Sequence, residues 1–222
     1  DGSSLSGLKL NGTCATTCDI TVTTADSTVW YFKPQGDLFV TRDSVIGPRQ
    51  LLAGTLSESV LKLKFHSEYE DIDVTDLVLN STGGTAASLD SLELWLDGGT
   101  TALATSGGCG SADVLADNNG APAGAGTGTT AFCFTMDTKQ LVIPRGSDVR
   151  VNVRSRVKTD VQGAVSANVI SIFIDDTRAS NDATGTGSVR ARGVASSNTL
   201  GKNDGDTVAE GEVFIGRTVA TA

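Results

Sequence analysis

Residues 148–158 read DVRVNVRSRVK, and their alternation decides the fold class. Val149, Val151, Val153 and Val157 share one parity, with Ser155 as the only small polar interruption. Arg150, Asn152, Arg154, Arg156 and Lys158 share the other. A period of two sends successive side chains to opposite faces of a pleated strand, so one face is core and the other is wet and cationic. The same grammar recurs outward in both directions. Leu61, Leu63 and Phe65 alternate with Lys62, Lys64 and His66. Ile72 and Val74 lead on to Leu77 and Leu79. Leu92, Leu94 and Leu96 line up with Trp95 on the opposite face, and Phe132, Phe134 and Met136 follow. Further strands are expected at 141–143, 169–174, 189–194 and 213–215. Together with the strands above they make about nine candidates after Pro48, enough for two packed antiparallel sheets.

Composition agrees with an all-β chain. The 222 residues include 26 glycines, spread with Thr, Ser and Ala as turn punctuation between apolar runs, and the 19% charged share is too low for a disordered chain. A formal net charge of −9 disfavours a nucleic-acid partner, because phosphate neutralisation needs a basic surface. No run of 18 apolar residues is present, so no transmembrane segment is expected. No leader pattern opens the chain, and Asp1 reads as a mature or truncated start.

The chain divides at Gly47-Pro48, where proline bars a central ladder position. Residues 47–222 are expected to form the sandwich domain. Residues 1–46 are expected to form an additional N-terminal β segment, too small for a sandwich of its own. Within it the run at 29–32, VWYF, is apolar on both faces and needs cover on both sides.

The stretch 51–80, LLAGTLSESVLKLKFHSEYEDIDVTDLVLN, resembles the opening of Ig-like β-sandwich repeats in large bacterial cell-surface proteins. It matches in Ala53-Gly54-Thr55, in the 60–65 strand, in Glu70-Asp71-Ile72 with Val74, and in 77–79. Residues 91–98, and 141–146 with 149–157, fit the later signatures of such repeats. The resemblance covers roughly residues 37–195 and departs in the stretch between Cys109 and Cys133. It implies an Ig-like antiparallel sandwich of the surface-layer, stalk or fibre kind, without catalytic residues. Fold analogy alone does not establish function.

Four cysteines fall as Cys14/Cys18 and Cys109/Cys133, with no histidine near either pair, which is not zinc-site spacing. Three connectivities are possible. The sequence-local one would close the Gly/Ala-rich excursion between Cys109 and Cys133, at a gain of roughly 3 kcal/mol by chain entropy. It would also clip a tight tip at Cys14–Cys18, and both bridges would imply an oxidising compartment. Free thiols in a reducing compartment are the alternative.

No constellation of side chains points to a reaction. His66 is the single histidine and reads as a surface side chain on the polar face of its strand. Carboxylates cluster at Glu68, Glu70, Asp71, Asp73 and Asp76, at Asp175, Asp176 and Asp182, and at Asp204 and Asp206 beside Asn203. Such oxygen-rich loops suit calcium, but none has EF-hand spacing, and solvated acidic loops are the plainer reading. No metal site, cofactor or catalytic residue is therefore assigned. Asn11 and Asn80 satisfy the N-x-[ST] rule and are candidate glycan attachment points.

The expected function is a secreted, extracellular or cell-surface structural subunit. It would self-assemble into a homopolymeric filament (a pilus, for instance) or an S-layer through strand-mediated contacts of the donor-strand kind. The candidate interface residues are Trp30, Tyr31, Phe32 and Phe39 from the first segment, and Arg150, Arg154 and Arg156 from the cationic strand face. Those arginines have two readings, cross-strand pairing with acidic neighbours or contact with another subunit. The alternative function is a monomeric adhesin, binding glycan or protein through the 107–130 and 175–187 loops.

Overall fold

The computed structural model describes residues 18–20, 30–32, 35–47, 49–82, 86–108, 129–166, 171–174, 188–202 and 212–215. It is an all-β sandwich with an additional N-terminal β hairpin. That hairpin pairs β1 (Cys18–Ile20) antiparallel with β2 (Trp30–Phe32) as a two-stranded sheet of its own.

The sandwich strands are β3 (Asp37–Arg42), β4 (Leu56–Glu68), β5 (Ile72–Thr82), β6 (Leu89–Leu96), β7 (Ala102–Thr105), β8 (Gly107–Gly108) and β9 (Thr129–Thr135). They continue with β10 (Val142–Ile143), β11 (Asp148–Val157), β12 (Ser171–Phe173), β13 (Val189–Gly193), β14 (Thr199–Lys202) and β15 (Glu212–Ile215). The first sheet runs β7-β6-β11-β4-β3-β15, and the second runs β13-β5-β9-β8, with β10 and β12 also on β5. Between them lies β14, antiparallel to β13 and parallel to β15. On the other side Ser106 links β7 directly to β8, so both ends of the strand path lie next to each other in the chain.

The strand β11 shows why the alternation matters. Val151, Val153, Ser155 and Val157 are buried, facing Leu61, Leu63 and Phe65 of β4 and Leu92 and Leu94 of β6 across the same sheet. Each fully buried Leu or Phe of this kind contributes roughly 1.5–3 kcal/mol of transfer free energy. Ser155 lies in the core without penalty because its hydroxyl is 3.0 Å from Ser57 Oγ, and Ser57 Oγ also accepts from the Ser155 amide at 2.9 Å. Leu96, the last of its leucine row, sits at the strand end and is exposed.

The architecture is the expected all-β sandwich of two antiparallel-rich sheets. β3 is flanked by β4 and β15, and Leu38 and Val40 lie fully in the core, so the sandwich already includes residues 37–42. Within this antiparallel-rich architecture one local run, β14, β15 and β3, is parallel.

Candidate functional site

The cationic face of β11 has its partners within the chain. Arg150 lies opposite Lys64 in the ladder, a like-charge placement that would destabilise the pair unless compensated. Asp43 supplies the compensation, accepting from Arg150 Nε at 2.8 Å; this hydrogen bond and the Asp43 charge raise the guanidinium pKa further. Arg154 lies over the Trp95 ring at 4.2 Å from its centroid, a cation–π contact. Arg156 donates from Nε and Nη2 to Glu93 Oε1 at 3.2 and 2.8 Å, and Trp95 Nε1 donates to Glu93 Oε2 at 3.1 Å. Asn152, on the same face but buried, donates from Nδ2 to Asp97 Oδ1 at 2.9 Å. Arg150 and Arg156 thus have acidic partners within the chain, whereas Arg154 has the Trp95 ring and its buried Nε makes no hydrogen bond.

A second row crosses the same outer face in strict register: Phe214 of β15, Phe39 of β3, His66 of β4 and Asp148 of β11. The two phenylalanine rings stack at 4.7 Å with planes 7° apart, and His66 is tilted against Phe39 at 6.2 Å. His66 Nδ1 is 2.7 Å from Asp148 Oδ1. That hydrogen bond outweighs a small burial effect and, with the Lys64 charge, holds the Asp148 carboxyl below its ordinary pKa.

The remaining candidate residues do not converge on this face. Trp30, Tyr31 and Phe32 are placed in β2, opposite Ile20, Asp19 and Cys18, in a different sheet from Phe39. Cys133 lies in β9 and is disulfide-bonded. Cys14 and Cys109 fall outside the described residues, as do Asn11, Asp175, Asp176, Asp182, Asn203, Asp204 and Asp206, and most of both loops assigned to the adhesin reading. Asn80 is 1% exposed within β5, between β9 and β12. An oligosaccharide cannot be attached to a side chain packed inside a sheet, so the expectation of a glycan there is corrected.

Four of the clustered carboxylates act as fasteners between segments distant in sequence. Glu70 is the most heavily used, and no sequence pattern marks that role. Its Oε1 accepts from Gly36 N–H and Ser196 Oγ, both at 2.8 Å, and its Oε2 from the amides of Ala195 and Ser196 at 3.0 and 2.9 Å. Burial alone would raise this carboxyl, but the hydrogen bonds from Ser196, Gly36 and Ala195 prevail and lower its pKa. The approach is close enough to dictate glycine: a Cβ on Gly36 would sit 2.7 Å from Glu70 Cγ, and one on Gly193 would collide with Ser196 Oγ and the Glu70 carboxylate. Asp71 accepts from Arg145 N–H at 2.7 Å, both oxygens of Asp73 from Lys139 N–H at 3.0 Å, and Asp76 from Thr75 Oγ1 and Thr135 Oγ1. Among the described residues no group of three or more His, Cys, Asp or Glu is placed to hold a metal ion.

Among the described residues no helix is long and apolar enough to cross a membrane. No family model matches the chain, and no curated protein matches it. One solved structure, described as "AvmM Catalyzes Macrocyclization in Alchivemycin A Biosynthesis", is similar with a TM-score of 0.33 and 11% identity, over 84% of this chain and 82% of that one. A likeness so distant carries no argument about function.

Proposed function

We propose that the protein is a secreted, non-catalytic structural subunit that self-assembles into an extracellular filament or surface layer through β-strand contacts. The observation that carries this reading is the separate β1–β2 sheet. Among the described residues β2 is paired on one edge only, and a two-stranded sheet is marginal in water without further packing. Its sequence, in a run apolar on both faces, asks for cover that the hairpin cannot itself supply. A further strand added to β2, or its docking on another copy, would provide it. The disulfide at Cys133 supports an oxidising, extracellular setting.

The test is negative-stain imaging and light scattering of the full chain beside a variant lacking residues 1–32. Polymers from the full chain and soluble, folded monomers from the shortened one are expected. Polymers of unchanged form from the shortened chain would remove the hairpin from assembly. A full chain that stays monodisperse, and melts higher in the presence of a glycan or protein ligand, would favour the adhesin reading instead.

A further inference from the structure

Tension on a folded chain enters and leaves through the strands nearest the points of attachment. Here those are β3, the first strand of the sandwich, and β15, its last described strand. They are neighbours. β15 lies in parallel register with β3, with Val213 beside Leu38, Phe214 beside Phe39 and Ile215 beside Val40. Apart from β14 with β15, the other strand pairings among the described residues are antiparallel.

The parallel sense fixes how the pair is loaded. Because both strands run the same way, the start of β3 and the end of β15 lie at opposite ends of the ladder. Pulling these apart drives one strand lengthwise past the other, and all the hydrogen bonds between them, lying across the strands, share the load. An antiparallel pair would bring both loaded ends to one side, where the bonds would break one at a time. Neither strand is an edge that could be stripped away. β3 also pairs with β4, with Asp37 opposite Glu68 and Arg42 opposite Leu63, and β15 also pairs with β14.

Side chains on both faces oppose the slide. Leu38, Val40 and Val213 are buried in the core. A slip of one residue would turn that row outward, and a slip of two, about 6.6 Å, breaks the whole of so short a ladder. On the outer face the Phe39 and Phe214 rings stack across the same two strands, 4.7 Å apart with planes at 7°. The point where load enters is also fastened. Gly36 N–H donates to Glu70 Oε1 at 2.8 Å, and the same carboxylate accepts from Ala195 and Ser196 in the turn after β13. A pull arriving before β3 is thus passed at Gly36 to a second part of the fold.

We infer that the sandwich is a tension-bearing link, with the β3–β15 ladder as its clamp against load applied before Gly36 and after Ile215. The inference goes beyond the self-assembly reading and does not rest on it, since a single anchored copy carries the same clamp. It gives the local departure from antiparallel pairing a function.

Single-molecule force spectroscopy of the full chain tests it by changing the direction of pull. One preparation carries handles at the two ends of the chain and loads β3 against β15 lengthwise. The other carries them at the C-terminal end and at residue 161, where Val161 is 97% exposed. β11 runs in the same sense as β3 and β15, so residue 161 lies at the end where β15 finishes, and this pull peels β15 from that end. Leu52, exposed and just before β4 at the same end, is the second attachment point if a handle at 161 lowers the melting temperature. The two preparations share one equilibrium stability, so a difference in rupture force reports the direction of load. The end-to-end pull is expected to need roughly twofold more force, or higher, at equal loading rate. The β1–β2 hairpin is in series with the clamp and antiparallel, with Cys18 opposite Phe32, so it should open first and at low force. Phe214→Ala should lower the end-to-end force more than the peeling force. Equal forces in the two directions, or a lower force end to end, would overturn the clamp whatever the assembly state of the protein. An unchanged end-to-end force in Phe214→Ala would overturn it too, by placing the resistance outside this ladder.

Discussion

Replacing Glu70 with glutamine should destabilise the sandwich as much as replacing it with alanine. Both carboxylate oxygens accept backbone N–H groups, Gly36 on Oε1 and Ala195 and Ser196 on Oε2. Either orientation of a glutamine amide therefore points its NH2 at a donor. Hydrogen bonds to a charged acceptor contribute about 1.5–3 kcal/mol each when buried. Glu70 is only partly buried, so water replaces some of what is lost and the burial cost of the charge is recovered. The expected net loss is about 2–3 kcal/mol, or roughly 5–10 °C in melting temperature for a chain of this size. The pH dependence gives an independent reading. A carboxyl whose pKa is lowered in the folded state contributes stability above its unfolded value, and this is lost as pH falls through the folded value. The wild type should therefore lose more stability than Glu70→Gln between about pH 5 and about pH 3, and the two curves should converge in acid. Chemical denaturation of both variants across that range is the assay. A glutamine variant as stable as wild type, or two curves parallel throughout, would refute the fastening role.

Glu93→Ala should cost about 2 kcal/mol in urea titrations and should change the Trp95 fluorescence, because it leaves Arg156 and the Trp95 indole without their shared acceptor; Glu93→Gln should recover part of the loss. Gly193→Ala should lower the melting temperature more than Gly107→Ala, since a Cβ at 193 meets the Glu70 carboxylate and one at 107 meets nothing. Asn80→Leu should leave the melting temperature unchanged or raise it, because Asn80 is buried with neither amide atom hydrogen-bonded. Expression in a glycosylating host followed by peptide mass spectrometry should find Asn80 unmodified; an intact glycan there would contradict its burial.

Local periodicity made one half of the fold legible and none of its long-range pairings. The parity of Val151 and Val153, or of Leu61, Leu63 and Phe65, is a property of adjacent residues, and it survives into the structure unchanged. The spacing of three between Val74 and Leu77 is visible in the sequence as a break in that parity. In the structure it is a register shift, where Ala191 pairs with Val74 and Arg190 with Asp76. Pairing between β3 and β15 is different in kind. Leu38 and Val213 are neighbours for no reason written near either of them. The arginine partners show the same limit: the acidic and aromatic residues 93 and 95 are obvious, but only register sets Arg154 opposite Glu93.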